Sequence, residues 1–166
     1  GDLYVSSISK ILKFENIMAN LENANPTIVR GDLPTDTWHG WKFIKIGPDN
    51  KLYVPVGAPC NVCEREDERY ASILRMNLDG SDLEVFAHGI RNTVGFDWNP
   101  ANGELWFTDN GRDNLGDDIP PDELNRAAES GLHFGFPYLH GKTVEDPEYF
   151  DKKPESTFTL PQWELP

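Results

Sequence analysis

The sequence predicts an all-β fold of about two and a half to three blades of a β-propeller, and two observations lead to this fold class. A sub-motif recurs three times, and its marker residues Leu3, Leu52 and Leu105 are 49 and 53 residues apart. The 14 glycines and 13 prolines are spread along the chain, as expected for tight turns between many short strands. An antiparallel sandwich with evenly spaced turns is the alternative, but near-constant spacing of a whole sub-motif favours propeller blades.

Each repeat predicts a four-stranded antiparallel meander. In every copy a turn residue and a polar residue precede Leu, an aromatic residue and an apolar residue, and the turns are of the Asp-Asn, Asn-Gly and Asp-Gly kinds that connect hairpins. A second strand follows every copy, and a further strand precedes the second and third copies. The predicted strands are 3–5, 11–14, 43–46, 52–54, 73–76, 83–86, 94–98, 105–107 and 124–127.

We assign the 166 residues to one partial propeller domain. Its predicted blades span residues 1–37, 38–88 and 89–150, and residues 151–166 are expected to form a tail that leads to a next blade. The first residues already predict a strand and show no signal peptide, so we expect the chain to begin within the fold. Because a propeller needs roughly four to eight blades to close, we expect either a fragment or a homo-oligomer, most simply a dimer of half-propellers.

The net charge of −13 excludes two classes of partner. Nucleic acids and anionic membranes would both be repelled by so acidic a protein, and no apolar run is long enough to span a membrane. Most of the acidic residues are scattered, as expected for solubility. Between Asp109 and Glu123, however, six carboxylates share one stretch with a single arginine, so this stretch needs a cation or hydrogen-bond donors to compensate the charge.

Cys60 and Cys63 form a lone C-x-x-C motif in a loop-like segment. A zinc site needs about four ligands, and no second cysteine pair exists. A thioredoxin-type motif would require a βαβ pattern around it, which is absent. We therefore predict a local disulfide in an exported protein, periplasmic or secreted; two free thiols are the alternative.

Three loop segments carry the residue types that chemistry needs. His39 precedes an inner strand and is a candidate base near neutral pH, although a histidine beside tryptophans is more often a packed structural residue. Arg91 and Asn92 offer a charged fork and an amide for carboxylates or carbonyl oxygens, whereas the simpler interpretation is an exposed turn. The oxygen-rich loop 108–125 lacks EF-hand spacing, and it is either a calcium-binding loop or a solvated acidic loop.

Taken together in this order, the loops resemble the glucose/sorbosone dehydrogenase family, and most of all its sorbosone dehydrogenase-like branch. The resemblance covers nearly the whole chain. It implies a six-bladed propeller that uses pyrroloquinoline quinone (PQQ) and calcium. The stretches that carry it are GPDNKLYVPVGAPCNVC (47–63), GIRNTVGFDW (89–98), LWFTDNGRDNLGDDIPPDELN (105–125) and HFGFPYLHG (133–141).

The resemblance implies roles for individual residues around the quinone. Arg91 and Asn92 match the Arg-Asn pair that contacts the cofactor, and Asn110, which begins the loop that holds the calcium beneath it, is also assigned to cofactor binding. Counting eight residues back from the Gly-Pro-Asp turn places the catalytic base at His39. One position departs from the family pattern: a basic residue normally stands four places after this histidine, where this chain has Phe43.

The same resemblance implies two calcium sites. The backbone carbonyls of Gly111 and Arg112 match those that hold the calcium beneath the quinone. Glu123, with the backbone near Phe134, is similar to a second, structural calcium site of aldose dehydrogenases in the family.

The implied activity is hydride transfer from C1 of a small sugar, an aldose or sorbosone, to the quinone. The family's remaining cofactor residues lie on later blades, so we expect this chain to be inactive alone. The competing hypothesis is a non-catalytic, calcium-stabilised propeller module that assembles with itself or binds a partner.

Overall fold

The computed structural model describes residues 1–165 as short β-strands joined by loops, with three single-turn 3-10 helices at Ile17–Ala19, Leu21–Asn23 and Phe150–Lys152. No helix within these residues has the length and apolar character to cross a bilayer. The predicted all-β class is confirmed. The strands are β1 Leu3–Ser6, β2 Ile11–Phe14, β3 Thr27–Arg30, β4 Lys45–Ile46, β5 Leu52–Val56, β6 Ser72–Met76, β7 Glu84–His88, β8 Phe96–Trp98, β9 Leu105–Asp109, β10 Asp122–Ala127, β11 Leu132–His133, β12 Leu139–His140, β13 Val144–Glu145 and β14 Trp163–Leu165.

The strands form three consecutive sheets and one small hairpin. Sheet 1 has the order β1-β2-β3, and sheet 2 is the antiparallel meander β4-β5-β6-β7 with β11 added in parallel to the outer edge of β7. Sheet 3 has the order β8-β9-β10-β14, and β12 pairs with β13. All pairings within the meanders are antiparallel, as the repeats predict.

The core lies between neighbouring sheets, and β5 shows why. Its five residues are all buried, and side chains on a strand alternate between the two faces. Leu52 and Val54 therefore pack toward sheet 1, while Tyr53 packs toward sheet 3. Tyr53 meets Phe86 edge to face at 5.2 Å between ring centroids, an arrangement that adds about 1 kcal/mol beyond area burial. A sheet buried on both faces is what stacked blades require.

The last segment adds a strand to sheet 3. Residues 151–166 are predicted to be a tail that leads to a next blade, which stays a prediction; within this tail β14 pairs with β10, with Leu124 opposite Trp163 and Glu123 opposite Glu164. It thus supplies the outer strand of sheet 3. The segment between β10 and β14, which contains β11 and the β12–β13 hairpin, separates the two strands in sequence, so no turn signal links them. Pro166 lies outside the described residues.

Candidate functional site

The site begins at the end of β9, where Asp109 is buried and caps the neighbouring loop. Its Oδ2 accepts a hydrogen bond from the backbone N–H of Arg91 at 2.9 Å, and its Oδ1 accepts one from the N–H of Asn92 at 2.6 Å. The N–H of Asn110 donates in turn to the carbonyl of Asn92 at 3.2 Å. One carboxylate therefore holds the Arg91–Asn92 turn against the first residue of the acidic loop.

Arg91 is 4% exposed, and its guanidinium fork is fixed by four contacts. Nε donates to the carbonyl of Asn61 at 2.8 Å, and Nη2 donates to Oδ1 of the same residue at 2.9 Å. Nη2 also contacts Asp113 Oδ2 at 3.1 Å, and Nη1 contacts the carbonyl of Asn110 at 3.3 Å. Burial lowers the pKa of Arg91, and Asp113 and Asp109 oppose that shift. The group remains a cation, because its ordinary pKa lies far above neutrality.

His39 lies in a loop before β4 with a left-handed backbone, φ 51°, a conformation that histidine adopts more readily than most residues. Its Nδ1 is 2.8 Å from the carbonyl of Ala58, so Nδ1 carries the proton. Nε2 accepts a hydrogen bond from the half-exposed indole of Trp38 at 3.1 Å. Burial lowers the pKa of His39, and the hydrogen bond to Ala58 opposes that shift. The ring is therefore neutral near pH 7, with its Nε2 lone pair directed at the indole of Trp38.

Ala58 joins His39 to Arg91. Its carbonyl accepts from the histidine ring, and its N–H donates to the carbonyl of Arg91 at 2.8 Å. Gly57 makes this approach possible, because a Cβ there would lie 2.5 Å from the Cβ of His39 and 3.3 Å from the carbonyl of Arg91. The predicted base and the predicted cofactor-binding arginine thus share one backbone link.

Two acids are buried next to this network. Asp109 and Glu123 are each 6% exposed and stand directly opposite each other on β9 and β10. Burial and then the charge of Glu123 raise the pKa of Asp109 well above its usual range. Burial also raises the pKa of Glu123, although hydrogen bonds from Asn125 and Gly141 oppose the shift. Two buried carboxylates in directly opposite positions of a strand pair favour a cation between or beside them.

The oxygen atoms around the acids fit a hard cation. The Oδ1 atoms of Asn110 and Asn125 are buried and have no hydrogen-bond partner within residues 1–165, which is rare for buried amide oxygens. The adjoining cavity of about 10 Å³ has room for a single ion or water. Carboxylate, amide and carbonyl oxygens are the ligands that calcium prefers.

Arg112 is held by a separate buried network. Its Nη1 donates to Asp146 Oδ2 at 2.6 Å, and the same oxygen is 3.0 Å from Nε2 of His140. The other oxygen of Asp146 accepts from the N–H groups of Glu148 and Tyr149. Burial raises the pKa of Asp146, but its hydrogen bonds outweigh burial and lower it overall, so the side chain is ionised. The side chain of Arg112 thus locks the loop whose carbonyl is predicted to face calcium.

The structure brings most of the predicted site residues together. Five of the eight line the small cavity: Arg91, Asn110, Gly111, Glu123 and Phe134. Asn92 contacts its rim through Asp109, Arg112 extends away to Asp146, and His39 joins through Ala58.

Sequence reasoning missed four residues of these networks. Asn61, Asp109 and Asp146 make buried or part-buried hydrogen bonds to predicted site residues. His140 joins the network through Asp146. The signal for Asp109 was its place in the acidic run. Asn61 was marked only by its position between Cys60 and Cys63, whose predicted disulfide is confirmed.

The Glucose / Sorbosone dehydrogenase family matches this chain over residues 18–164. The chain belongs to this family. A protein of Borreliella burgdorferi, described as uncharacterized, is 38% identical over 179 aligned residues, which cover 99% of this chain and 46% of that protein. The family member described here therefore spans about half the length of its curated relative.

Two solved structures are similar to this glucose/sorbosone dehydrogenase family chain. The PQQ-bound aldose sugar dehydrogenase of Streptomyces coelicolor has a TM-score of 0.70 at 22% identity, covering 99% of this chain and 48% of that one. The holo PQQ domain of pyranose dehydrogenase from Coprinopsis cinerea has a TM-score of 0.71 at 17% identity, covering 93% and 44%. At these identities the similarity shows the fold, and the predicted propeller blades are confirmed.

Proposed function

We propose that this chain is part of a quinone-dependent sugar dehydrogenase and provides its catalytic base. The observation that carries the proposal is the link through Ala58 between a neutral His39 and a buried Arg91. A base whose proton sits on the inner nitrogen and a fixed cation beside it are the two groups that sugar oxidation at an anionic quinone requires.

His39 takes the proton in the proposed reaction. Its Nδ1–H is held by Ala58, so Nε2 is the atom that accepts the proton of the C1 hydroxyl of the sugar. For the sugar to reach Nε2, the indole of Trp38, which is 53% exposed, must move away from Nε2 or remain beside it while the hydroxyl approaches. When bound, PQQ would supply the acceptor for the hydride that leaves C1 with its electron pair. Arg91 would place its positive charge near the cofactor oxygens that become more negative.

Calcium ions complete the proposal. The backbone carbonyls of Gly111 and Arg112 would hold one ion beneath the cofactor, where a cation polarises a quinone carbonyl. Glu123, with the backbone of Phe134, would hold a second, structural ion. The unpartnered Oδ1 of Asn110 and the buried acid pair support a cation-binding role for this part of the loop.

We further propose a small sugar, an aldose or sorbosone, as substrate and a periplasmic or secreted location. The Cys60–Cys63 disulfide supports the location, because such bonds persist in oxidising compartments.

Binding of PQQ tests the proposal directly. With calcium present, the quinone should quench tryptophan fluorescence, since Trp38 adjoins His39. Arg91→Ala should raise the dissociation constant at least about tenfold, because a charge-assisted contact is lost. Arg75→Ala is the matched control, because this arginine contacts Glu84 in sheet 2 away from the site. Equal binding by the wild type and Arg91→Ala would contradict the assignment of Arg91.

Activity is tested by dye-linked oxidation of glucose and sorbosone with PQQ and calcium. Because the resemblance places further cofactor residues on other blades, we expect no turnover by this chain alone. Turnover that His39→Ala abolishes would show that the chain is sufficient for catalysis. A non-catalytic module would also bind the quinone without turnover and be stabilised by calcium. The enzyme and the non-catalytic module are therefore distinguished by measuring turnover in a complete propeller that contains this half.

A further inference from the structure

We propose that Asn61 is a positioning residue, held by the Cys60–Cys63 disulfide, that fixes the guanidinium of Arg91 for cofactor binding. The cofactor part of this inference rests on the proposed function. The positioning part concerns only the orientation of Arg91 and is tested separately.

Asn61 bridges two segments of the site. Its carbonyl accepts from Nε of Arg91 at 2.8 Å, and its Oδ1 accepts from Nη2 of Arg91 at 2.9 Å. The same Oδ1 accepts from the N–H of Asp113 at 2.8 Å, and its Nδ2 donates to the carbonyl of Asp113 at 2.9 Å. The amide oxygen of Asn61 therefore contacts both Arg91 and the acidic loop, and the amide nitrogen contacts the acidic loop.

Asparagine is the residue type that this position requires. The bridge needs an acceptor for Arg91 and for the N–H of Asp113, and a donor for the carbonyl of Asp113, on one short side chain. Aspartate supplies the acceptors without the donor, and alanine supplies neither.

The two other partners of Arg91 are too weak to fix the fork by themselves. The carbonyl of Asn110 lies 3.3 Å from Nη1, beyond the usual length of such a hydrogen bond. Asp113 contacts Nη2 at 3.1 Å, but its side chain is 70% exposed. Ion pairs in contact with solvent do little to fix a side chain, because water and salt screen the attraction. Asn61 grips two different nitrogens of the fork, which sets its plane as well as its position, and this contact is part-buried.

The disulfide explains how a loop residue can hold an arginine. Residues 57–63 have no strand or helix, so no ladder of backbone hydrogen bonds orders Asn61. Cys60 and Cys63 close a ring around Asn61 and Val62, which restricts the backbone that presents the amide and the carbonyl.

The test compares Asn61→Ala, Asn61→Asp and the double variant Cys60→Ser/Cys63→Ser with Val62→Ala as the control within the same ring. The first readout is hydrogen exchange of the Arg91 Nη protons in ¹H–¹⁵N spectra, assigned with Arg91→Lys, and it requires no cofactor. Nη2 donates to the side-chain Oδ1 of Asn61, whereas Nε donates to a backbone carbonyl that Asn61→Ala keeps. We expect exchange at least about tenfold faster in Asn61→Ala and in the double variant, and unchanged in Val62→Ala. Asn61→Asp keeps the acceptors and should keep the protection.

The second readout is the dissociation constant of PQQ with calcium, by fluorescence. We expect it to rise at least about tenfold in Asn61→Ala and in the double variant. Asn61→Asp should also bind more weakly, because its added negative charge opposes an anionic ligand. Serine variants replace chemical reduction here, since thiol reagents also reduce quinones.

The two readouts separate the failures. If Arg91 exchange is the same in wild type and Asn61→Ala, the positioning role is wrong. If exchange responds as expected but the wild type binds no quinone, the proposed function fails while the positioning of Arg91 stands. If exchange responds and every variant binds the quinone equally, positioning has no effect on the cofactor, and the inference is overturned.

Discussion

Asp109 and Glu123 face each other directly across β9 and β10, and both side chains are buried. Like charges in opposite positions of a strand pair are destabilising, more so away from water. Each carboxylate accepts hydrogen bonds, Asp109 from the N–H groups of Arg91 and Asn92, and Glu123 from Gly141 at 2.6 Å. Donors of this kind reduce the repulsion without removing it, so the site should respond to a divalent cation.

Calcium should therefore raise the melting temperature. An ion that binds only the folded state at 100 times its dissociation constant adds about 2.7 kcal/mol, which for a domain of this size corresponds to a rise in melting temperature of roughly 5–11 °C. Differential scanning fluorimetry in EDTA and in calcium measures it, with sodium chloride matching the ionic strength. Glu123→Gln should lose the calcium-dependent part of the shift. Identical melting curves in EDTA and calcium would count against the cation site.

The repeat pattern predicted nine of the fourteen strands within residues 1–165, because the meanders it marks are local. It did not predict β3 or β11 to β14, which lie outside the recurring sub-motifs. Leu52 and Leu105, two of the three marker residues, are each 1% exposed at the centres of their sheets. Leu3, the first marker, is 45% exposed because its side of sheet 1 has no neighbour among the described residues.

The contacts that build the site could not be predicted in the same way. Arg91 meets Asn61 across 30 residues, and Arg112 meets Asp146 across 34. The loop between β9 and β10 is long, so no tight turn sets the register that places Asp109 opposite Glu123. The site residues followed from the family resemblance, whereas the side chains that hold them depend on non-local packing.

Removal of the Asp146 carboxylate should strongly destabilise the protein. The side chains of Asp146, Arg112 and His140 are 0%, 8% and 5% exposed. Asp146→Ala leaves a buried guanidinium without its partner, which costs about 3 kcal/mol or more. Urea denaturation followed by circular dichroism gives the change in unfolding free energy.

The matched control is an exposed ion pair. Glu15 contacts Lys13 at 3.3 Å, but its side chain is 70% exposed. Glu15→Ala should change the unfolding free energy by less than about 0.5 kcal/mol. If Asp146→Ala has as small an effect as Glu15→Ala, the buried network does not hold the loop of Arg112.

We propose that the chain associates with itself, most simply as a dimer of half-propellers. β1 is an edge strand among the described residues. Leu3 and Val5 project from the face of sheet 1 opposite to Tyr4 and are 45% and 37% exposed. Unpaired strand edges with apolar side chains favour association. Size-exclusion chromatography with light scattering should show a dimer at micromolar concentration. Leu3→Lys/Val5→Lys should shift it to the monomer, whereas Met18→Lys, at a site 75% exposed in a 3-10 helix, should not. A monodisperse wild-type monomer would contradict the proposal.

His39 should titrate below the ordinary histidine pKa of 6.5. Burial disfavours the charged ring, and the indole N–H of Trp38 donates to Nε2, a bond that only the neutral form can accept. The folded protein resists protonation of His39 more than the unfolded chain does. The contribution of His39 to the free energy of unfolding therefore falls as the pH decreases through 6.5 and below. The titration is measured from the ring ¹H–¹³C signals, assigned with His39→Gln.

Trp38→Phe tests the contribution of the indole hydrogen bond to the pKa of His39. Phenylalanine retains much of the ring that excludes water but cannot donate to Nε2. The pKa of His39 should therefore rise toward 6.5 without reaching it, because burial and the charge of Arg91 still lower it. Trp41→Phe is the matched control, since Trp41 is 88% exposed and makes no hydrogen bond to the histidine within residues 1–165. A His39 pKa at or above 6.5 in the wild type would mean that the ring is partly charged near neutrality. In that case a larger fraction of His39 would be protonated and unable to accept the proton of the C1 hydroxyl, and the acid limb of any pH–rate profile would move upward with the pKa.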